Sequence, residues 1–131
     1  MTTQFKKGIW YLAHPYTCKD KYGEHIPGGE EANYNLSNIR AAKLIEQGYL
    51  IYSPISHSHP IHTAWPAFVS NNVIHNMWYE FDKQYIEQIP FVGIILAPGW
   101  EDSEGCKKEK ALFERLGREI KFYEKDFHWL S

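Results

Sequence analysis

Four short apolar runs alternate along the chain with longer stretches of helical periodicity, and this alternation limits the possible folds more than any other feature. The runs have the length and composition of strands, and they occupy residues 9–13, 49–53, 91–97 and 119–123. The stretches between them repeat apolar side chains every three or four positions, and they occupy residues 30–47, 72–88 and 103–117. Strands that alternate with helices predict a parallel sheet covered on both faces.

Bulk composition narrows the class of protein. A chain of 131 residues can build one well-formed core, so we expect a single domain over residues 1–131. The net charge of −2 argues against a general nucleic-acid-binding surface. No apolar run approaches the roughly 20 residues that span a bilayer, so we expect no membrane partner. The first seven residues lack a signal-peptide pattern, and the two cysteines, Cys18 and Cys106, make no disulfide framework, which predicts a cytoplasmic protein with reduced thiols.

The predicted ligand site lies where the strands end. In open parallel sheets a ligand binds outside the carboxyl ends of the strands. The segments that follow those ends are residues 14–31, 54–71 and 98–105, and all three are rich in polar and aromatic side chains. We interpret the first two as long functional loops. Residues 17–31 contain three glycines and predict a lid over the ligand.

One residue of the third helical stretch is out of place. One face of that helix should pack on the core, and its members are Gly105, Glu109, Leu112, Phe113 and Leu116. The charges at 107, 108, 114 and 115 should point away from that face. A carboxylate on a core-facing stripe needs hydrogen bonds or a raised pKa, and proteins tolerate one mainly where it does chemistry. The alternative is that Glu109 lies at the edge of the stripe and reaches water.

Three segments and one helix carry a family resemblance. The segments are residues 11–16 (YLAHPY), 53–60 (SPISHSHP) and 99–105 (GWEDSEG), and the helix contributes Trp78 and Asp82. In this order and spacing they resemble the nucleoside 2-deoxyribosyltransferase-like family, which includes transferases and nucleotide N-glycoside hydrolases. The resemblance implies an α/β fold: a small doubly wound (flavodoxin/Rossmann-like) parallel sheet of four to five strands with helices on both faces. We expect no cofactor and no metal.

The resemblance also implies roles for individual residues. Glu109 stands four residues after Gly105, where the family has the nucleophile that attacks the anomeric carbon of the sugar. Asp82 matches an Asp that contacts the base, and Tyr11 matches a tyrosine that orients the Glu. The remaining residues expected to bind substrate are Ala13, His14, Pro15, Tyr16, Arg40, Ser53, Pro54, His57, Trp78, Gly99, Trp100, Ser103 and Gly105. His14 departs from the family, because a small residue is common there.

Ser103 points to the class of substrate. Nucleoside transferases of the family carry an Asp two residues before the motif glycine, and Ser103 instead resembles the nucleotide hydrolases, in which Ser contacts phosphate. A Ser hydroxyl and free N–H groups at a helix N-terminus also suit an anion. We therefore expect cleavage of a (deoxy)nucleoside 5′-monophosphate. Arg40 is either a source of positive charge for the phosphate or half of a surface ion pair. Glu101, Asp102 and Glu104 oppose a phosphate unless they face solvent.

Three alternatives remain open from the sequence. The acceptor of the sugar is either water or a second base, so a deoxyribosyltransferase is the first alternative. A non-catalytic nucleotide-binding module is the second. The third is a metal site at His57, His59 and His62, but Pro60 and the spacing do not put all three on one face, so we place them at the rim of the pocket.

We also expect a homodimer or a higher homo-oligomer. The resemblance implies this assembly. Residues 65–69 and 127–130 agree with it, because they look too apolar for a loop and a tail.

Overall fold

The computed structural model of the chain describes residues 4–18, 21–24, 26–65 and 71–130, with the side chains of residues 71–75 excepted. The strands are β1 (Ile9–Ala13), β2 (Leu50–Tyr52), β3 (Gly93–Leu96) and β4 (Glu119–Phe122). The helices are α1 (Gly29–Glu46), α2 (Pro54–Thr63), α3 (Asn71–Gln88), α4 (Glu104–Arg115) and α5 (Tyr123–Asp126). Short 3-10 turns lie at Trp100–Asp102 and His128–Leu130. None of the helices in the described ranges is both long and apolar enough to cross a bilayer.

The four strands form one parallel sheet in the order β2-β1-β3-β4. Tyr11 at the middle of β1 lies opposite Tyr52 on β2 and Ile94 on β3. The predicted parallel sheet is therefore confirmed, and β1 has the predicted bounds. The other three strands lie inside their predicted ranges.

Helices cover both faces of the sheet, as predicted. Alternate residues of a strand point to opposite faces, so Tyr11 and Ala13 lie on one face while Trp10 and Leu12 lie on the other. The first face packs against α3 and α4, and the second against α1 and α5. Phe127 is buried in the second core and Leu130 packs against it. Phe127 and Leu130 therefore cover the chain's own sheet and no longer support a dimer, whereas Trp129 is 59% exposed.

Three predicted helices are confirmed to within two residues at each end, but the loop predicted over residues 54–71 was wrong for residues 54–63, and residues 66–70 lie outside the described part of the chain. Residues 54–63 form α2. Pro54 occupies the first turn, where the fixed φ of proline suits a helix and its missing N–H costs nothing. Ser56 then donates a hydrogen bond of 2.7 Å to Ser53 Oγ just ahead of the helix. The sequence did not predict this helix, because it consists largely of serines, histidines and prolines, and none of these is a strong helix former.

Gly93 lets β3 pass close to its neighbours. A β-carbon at this position would lie 2.3 Å from the carbonyl oxygen of Glu119 and 2.7 Å from Cζ3 of Trp10. Both distances are far below van der Waals contact. The Trp10 ring therefore packs directly on the backbone of β3.

Candidate functional site

A cavity of about 880 Å³ opens at the carboxyl ends of β1 and β3. The chain leaves β1 toward α1 on one face of the sheet and leaves β3 toward α4 on the other face. Parallel sheets open a crevice where neighbouring strands diverge in this way. The walls come from the loop after β1, from α2 and α3, and from the first turns of α4. This is the edge at which the sequence predicted the site.

Glu109 lies on the cavity wall contributed by α4 and is only 9% exposed. The hydroxyl of Tyr11, which β1 presents to the same face of the sheet, donates a hydrogen bond to Glu109 Oε2. The pKa of Glu109 is raised to about 8, because burial and the charge of Asp82 raise it by more than the Tyr11 hydrogen bond lowers it. The carboxyl therefore does not reach bulk water, and the tyrosine favours its ionised form.

Asp82 brings a second carboxyl to the same cavity from α3. Its Oδ1 is buried without a hydrogen-bond partner among the described residues. Burial raises the pKa of Asp82 to about 7. Two carboxyls that oppose each other's ionisation hold about one proton between them near neutral pH. The two raised pKa values are similar, and the hydrogen bond from Tyr11 favours the state of the pair in which Glu109 carries the negative charge.

Helices α3 and α4 each bring a carboxyl and the lysine next to it in sequence to the cavity. Lys83 follows Asp82 on α3, Lys108 precedes Glu109 on α4, and both lysines line the cavity. Lys108 Nζ lies 4.8 Å from the ring centre of Tyr79 on α3. We expected Lys108 to point away from the core, and it does so by lying on the flank of the cavity. Positive charge is therefore available near the mouth and negative charge at depth.

The N-terminus of α4 forms another part of the wall. Ser103 is its N-cap, and its Oγ accepts a hydrogen bond of 3.2 Å from the Cys106 N–H. This bond uses a lone pair of the oxygen and leaves the hydroxyl proton able to donate. Gly105 lies in the first turn, and a β-carbon there would meet only Ser103 Oγ, at 3.9 Å. A ligand can therefore approach this turn closely.

Three carboxylates near that turn are exposed, namely Glu101, Asp102 and Glu104. Glu104 is 2.9 Å from Lys107 Nζ, which offsets its charge. Asp102 and Glu104 nevertheless line the cavity, whereas Glu101 does not. Of the acids that oppose a phosphate, Asp102 is therefore the one that counts most.

Tyr16 links three elements at the rim of the cavity. Its hydroxyl is 2.6 Å from Nδ1 of His59 and 2.9 Å from Nδ1 of His62, both on α2. His59 Nε2 is 2.6 Å from the carboxylate of Glu31 on α1. The third histidine, His57, instead stacks on a ring of α3. Within the described residues no group of three or more His, Cys, Asp or Glu side chains has a metal-binding arrangement.

Part of the segment predicted as a lid is held in place by helix α1 and by hydrogen bonds. Residues 29–31 belong to α1, so the predicted range 17–31 overlaps a helix. The Ile26 N–H donates to the carbonyl of Cys18 at 2.8 Å, and Asn33 on α1 donates to the carbonyl of Tyr16 at 2.9 Å. Residues 19, 20 and 25 lie outside the described part of the chain. The lid remains a prediction.

His14 accounts for the position of Arg40. His14 is buried, and its contacts fit a neutral ring whose Nδ1–H donates to the carbonyl of Pro15 at 2.8 Å. Its Nε2 accepts from Arg40 Nη1 at 2.7 Å. The pKa of His14 is lowered to about 4, because burial and the charge of Arg40 lower it by more than the hydrogen bond to Pro15 raises it. Arg40 therefore supports the cavity wall from behind His14 and does not line the cavity.

The structure brings most of the predicted site residues to the cavity. Those on its wall are His14, Pro15, Tyr16, Pro54, Trp78, Asp82, Gly99, Ser103, Gly105 and Glu109. Those that do not line it are Tyr11, Ala13, Arg40, Ser53, His57 and Trp100. Tyr11 acts through Glu109, and Trp100 packs at 5.5 Å against Phe122 beside the core. Of the predicted apolar segment 65–69 only Trp65 lies within the described residues, and it stacks on Trp78 at 5.7 Å.

Sequence reasoning missed several residues of the wall. Tyr79 lies three residues before Asp82, so helical spacing could have placed it on the wall. Lys83 and Lys108 directly adjoin a predicted carboxyl in sequence, a position that does not by itself predict the same face. Ile55, Ser58 and His62 join it because residues 54–63 are a helix. No local pattern could have placed those three before α2 was recognised.

The family of the chain follows from comparison with known proteins. The model of a family described as a domain of unknown function (DUF1937) matches residues 8–125, and the chain therefore belongs to that family. No curated protein matches the chain. The matched range includes all four strands and both carboxyls of the cavity.

Proposed function

We propose that this member of the family cleaves the N-glycosidic bond of a (deoxy)nucleoside 5′-monophosphate, with Glu109 as nucleophile and Asp82 as proton donor. The observation that carries the proposal is the pair of buried carboxyls on one cavity, of which only Glu109 accepts a hydrogen bond from a tyrosine. Such a pair supplies an ionised nucleophile and a protonated acid at the same pH. The resemblance of residues 11–16, 53–60 and 99–105 to nucleotide N-glycoside hydrolases supports the same roles.

The reaction balances in two steps. In the first, a carboxylate oxygen of Glu109 bonds to the anomeric carbon, the C–N bond breaks with its electron pair passing to the base, and Asp82 gives the base a proton. In the second, water bonds to the anomeric carbon, Asp82 takes a proton from that water, and the bond to Glu109 breaks. Free base and sugar 5-phosphate leave, and both carboxyls return to their starting states. The ionised Glu109 also stabilises the positive charge that develops on the sugar.

The shape and lining of the cavity support a nucleotide as ligand. A volume of about 880 Å³ suits a molecule of this size. The rings of Tyr16, Trp78 and Tyr79 on its wall can pack against a base. Ser103 and Gly105 at the N-terminus of α4, with Lys83 and Lys108 nearby, offer donors and positive charge to a phosphate.

Release of free base from a panel of nucleosides and 5′-monophosphates, followed by chromatography, tests the proposal. Glu109→Gln should lower the rate by about a thousandfold or more, because an amide cannot act as the nucleophile. Glu114→Gln is the matched control, since Glu114 is an exposed glutamate on the same helix. A folded Glu109→Gln protein with full activity would remove Glu109 from the mechanism.

A second free base in the reaction separates hydrolysis from base exchange. A hydrolase gives free base and sugar phosphate at a rate that the added base does not change. A deoxyribosyltransferase transfers the sugar to the added base and forms a new nucleotide or nucleoside. Tight binding of a nucleotide with no release of base from any member of the panel would favour a non-catalytic binding module.

A further inference from the structure

Two tyrosines lie side by side on the face of the sheet that carries the carboxyls. Tyr11 on β1 and Tyr52 on β2 are partners in the strand register, and their ring centres are 5.8 Å apart. Both pack in the core between the sheet and helices α3 and α4. The Tyr11 hydroxyl donates to Glu109. Tyr52 is thus in a position equivalent to that of Tyr11, one strand further along the sheet.

The hydroxyl of Tyr52 and Oδ1 of Asp82 are complementary and both lack a partner. Each atom is buried without a hydrogen bond to any described residue. The Tyr52 ring stacks on Tyr85 with centres 5.3 Å apart, and Tyr85 lies one helical turn after Asp82 on α3. Burial raises the pKa of Tyr52, and the charge of Asp82 raises it further, which places the two groups within electrostatic reach. A donor and an acceptor that are both unsatisfied therefore face the same buried space.

The indole N–H of Trp78 is a second unpartnered donor near Asp82, four residues earlier on α3. The two donors differ in their surroundings. The Trp78 side chain lines the cavity, so a bound molecule can contact it, whereas Tyr52 does not line the cavity. Among the described residues on this face of the sheet, Asp82 Oδ1 is the buried carboxyl oxygen without a partner that the Tyr52 hydroxyl could bond to.

We propose that Tyr52 is a positioning residue for Asp82, and that its hydroxyl donates a hydrogen bond to Asp82 Oδ1 when this carboxyl gives up its proton. The catalytic meaning of the bond rests on the proposed function. The proton of Asp82 passes to the departing base, while Tyr52 keeps its own proton and shares it. Because the bond forms as negative charge develops on Asp82, it stabilises the transition state more than the ground state. Each carboxyl then has its own strand tyrosine.

Carbon-13 NMR of labelled aspartate carboxyls measures the pKa of Asp82 directly, and the signal is assigned by its loss in Asp82→Asn. In Tyr52→Phe this pKa should rise by about one unit, because the carboxylate loses a donor. Tyr123→Phe is the matched control, since Tyr123 is also buried with an unpartnered hydroxyl but lies on the other face of the sheet. An Asp82 pKa that is equal in the two variants and the wild type overturns the proposal.

A measurement on the wild type covers the case in which Tyr52→Phe does not fold. The Cζ signal of labelled Tyr52 should shift as Asp82 titrates and should lose that shift in Asp82→Asn. A Tyr52 signal whose chemical shift does not change as Asp82 titrates overturns the proposal.

Kinetic measurements then test the proposed function and the positioning role of Tyr52 separately. If the protein releases base, Tyr52→Phe should lower kcat about tenfold with KM unchanged. An unchanged kcat overturns the positioning role. If no substrate is cleaved, the proposed function fails, and the NMR titrations still decide whether Tyr52 and Asp82 are coupled.

Discussion

The two faces of β1 are packed equally well but differ in the ionisable groups beside them. On the face toward α1 and α5, Trp10 and Leu12 pack against aromatic and aliphatic side chains. On the face toward α3 and α4, Tyr11 packs against Phe91 and Phe113 just as closely, with ring centres 5.4 and 5.5 Å apart. Only the second face also contains Glu109, together with the partly buried Asp82.

The difference between the faces lies in which polar groups they bury. The face toward α1 buries the hydroxyl of Tyr123, whose ring centre lies 5.8 Å from the guanidinium of Arg40. The face toward α3 and α4 buries hydroxyls and carboxyls together, so each affects the ionisation of the others. A large aromatic core is therefore found both on a face that only packs and on a face that borders the candidate site. The candidate site is indicated by the buried carboxyls and not by the aromatic rings.

The largest expected effect that separates the faces is on stability at high pH. Burial raises the pKa of Glu109 from 4.5 to about 8, so the folded state binds the proton more tightly than the unfolded state. This preference stabilises the fold fully below pH 4.5 and is lost as the pH rises to about 8. Glu109→Gln removes the carboxyl that must become charged while buried, so the variant should be more stable than the wild type at pH 9 by roughly 2–4 kcal/mol.

Urea unfolding of both proteins at pH 5 and pH 9 measures this difference, with Glu114→Gln as the exposed control on the same helix. The curves of wild type and Glu109→Gln should approach each other at pH 5 and separate at pH 9. A constant difference across that range would mean that Glu109 is not the buried group that loses its proton.

The next largest expected effect is a difference in activity between variants of two neighbouring residues on β1 that point to opposite faces. Tyr11→Phe keeps the ring and removes the donor to Glu109, so base release should fall about 10- to 100-fold, and stability should fall by about 1–3 kcal/mol because a buried acceptor loses its partner. Trp10→Phe should cost about 1–2 kcal/mol of stability through lost packing and leave the activity of each folded molecule unchanged. Chemical denaturation together with kcat measures both. Equal losses of activity in the two variants would contradict the division of the faces.

Much of the fold could be predicted because local pattern and global packing agree. Apolar runs of strand length and helical stripes of three-and-four spacing located the four strands and three of the helices. The pattern failed at α2, where serines, histidines and Pro60 give no apolar stripe, and the helix is stabilised by its contacts with α1 and α3. Tertiary contacts of that kind are not written in local sequence.

The candidate site was predictable in part for a related reason. Glu109 was found because a carboxylate on a core-facing stripe breaks a local rule. Tyr52 was missed because a tyrosine on a strand is an ordinary core residue, and only the register beside Tyr11 distinguishes it. Arg40 was predicted for its charge, but its bond to His14 could not be foreseen from residues 26 positions apart in the chain.

The smallest expected effect concerns the phosphate, and it compares a cation that lines the cavity with one that does not. Lys108 lines the cavity from α4, whereas Arg40 lies on α1 behind His14. Lys108→Gln should lower the ratio of 5′-monophosphate to nucleoside cleavage about tenfold, and Arg40→Gln should leave that ratio unchanged even if both rates fall.

Ser103→Asp should reverse the preference, because a carboxylate at the N-terminus of α4 repels the phosphate while still capping the helix. Rates of base release from a deoxynucleoside and its 5′-monophosphate give each ratio. A wild type that prefers the nucleoside, or a Ser103→Asp variant that keeps a phosphate preference, would contradict the assignment of this turn to the phosphate.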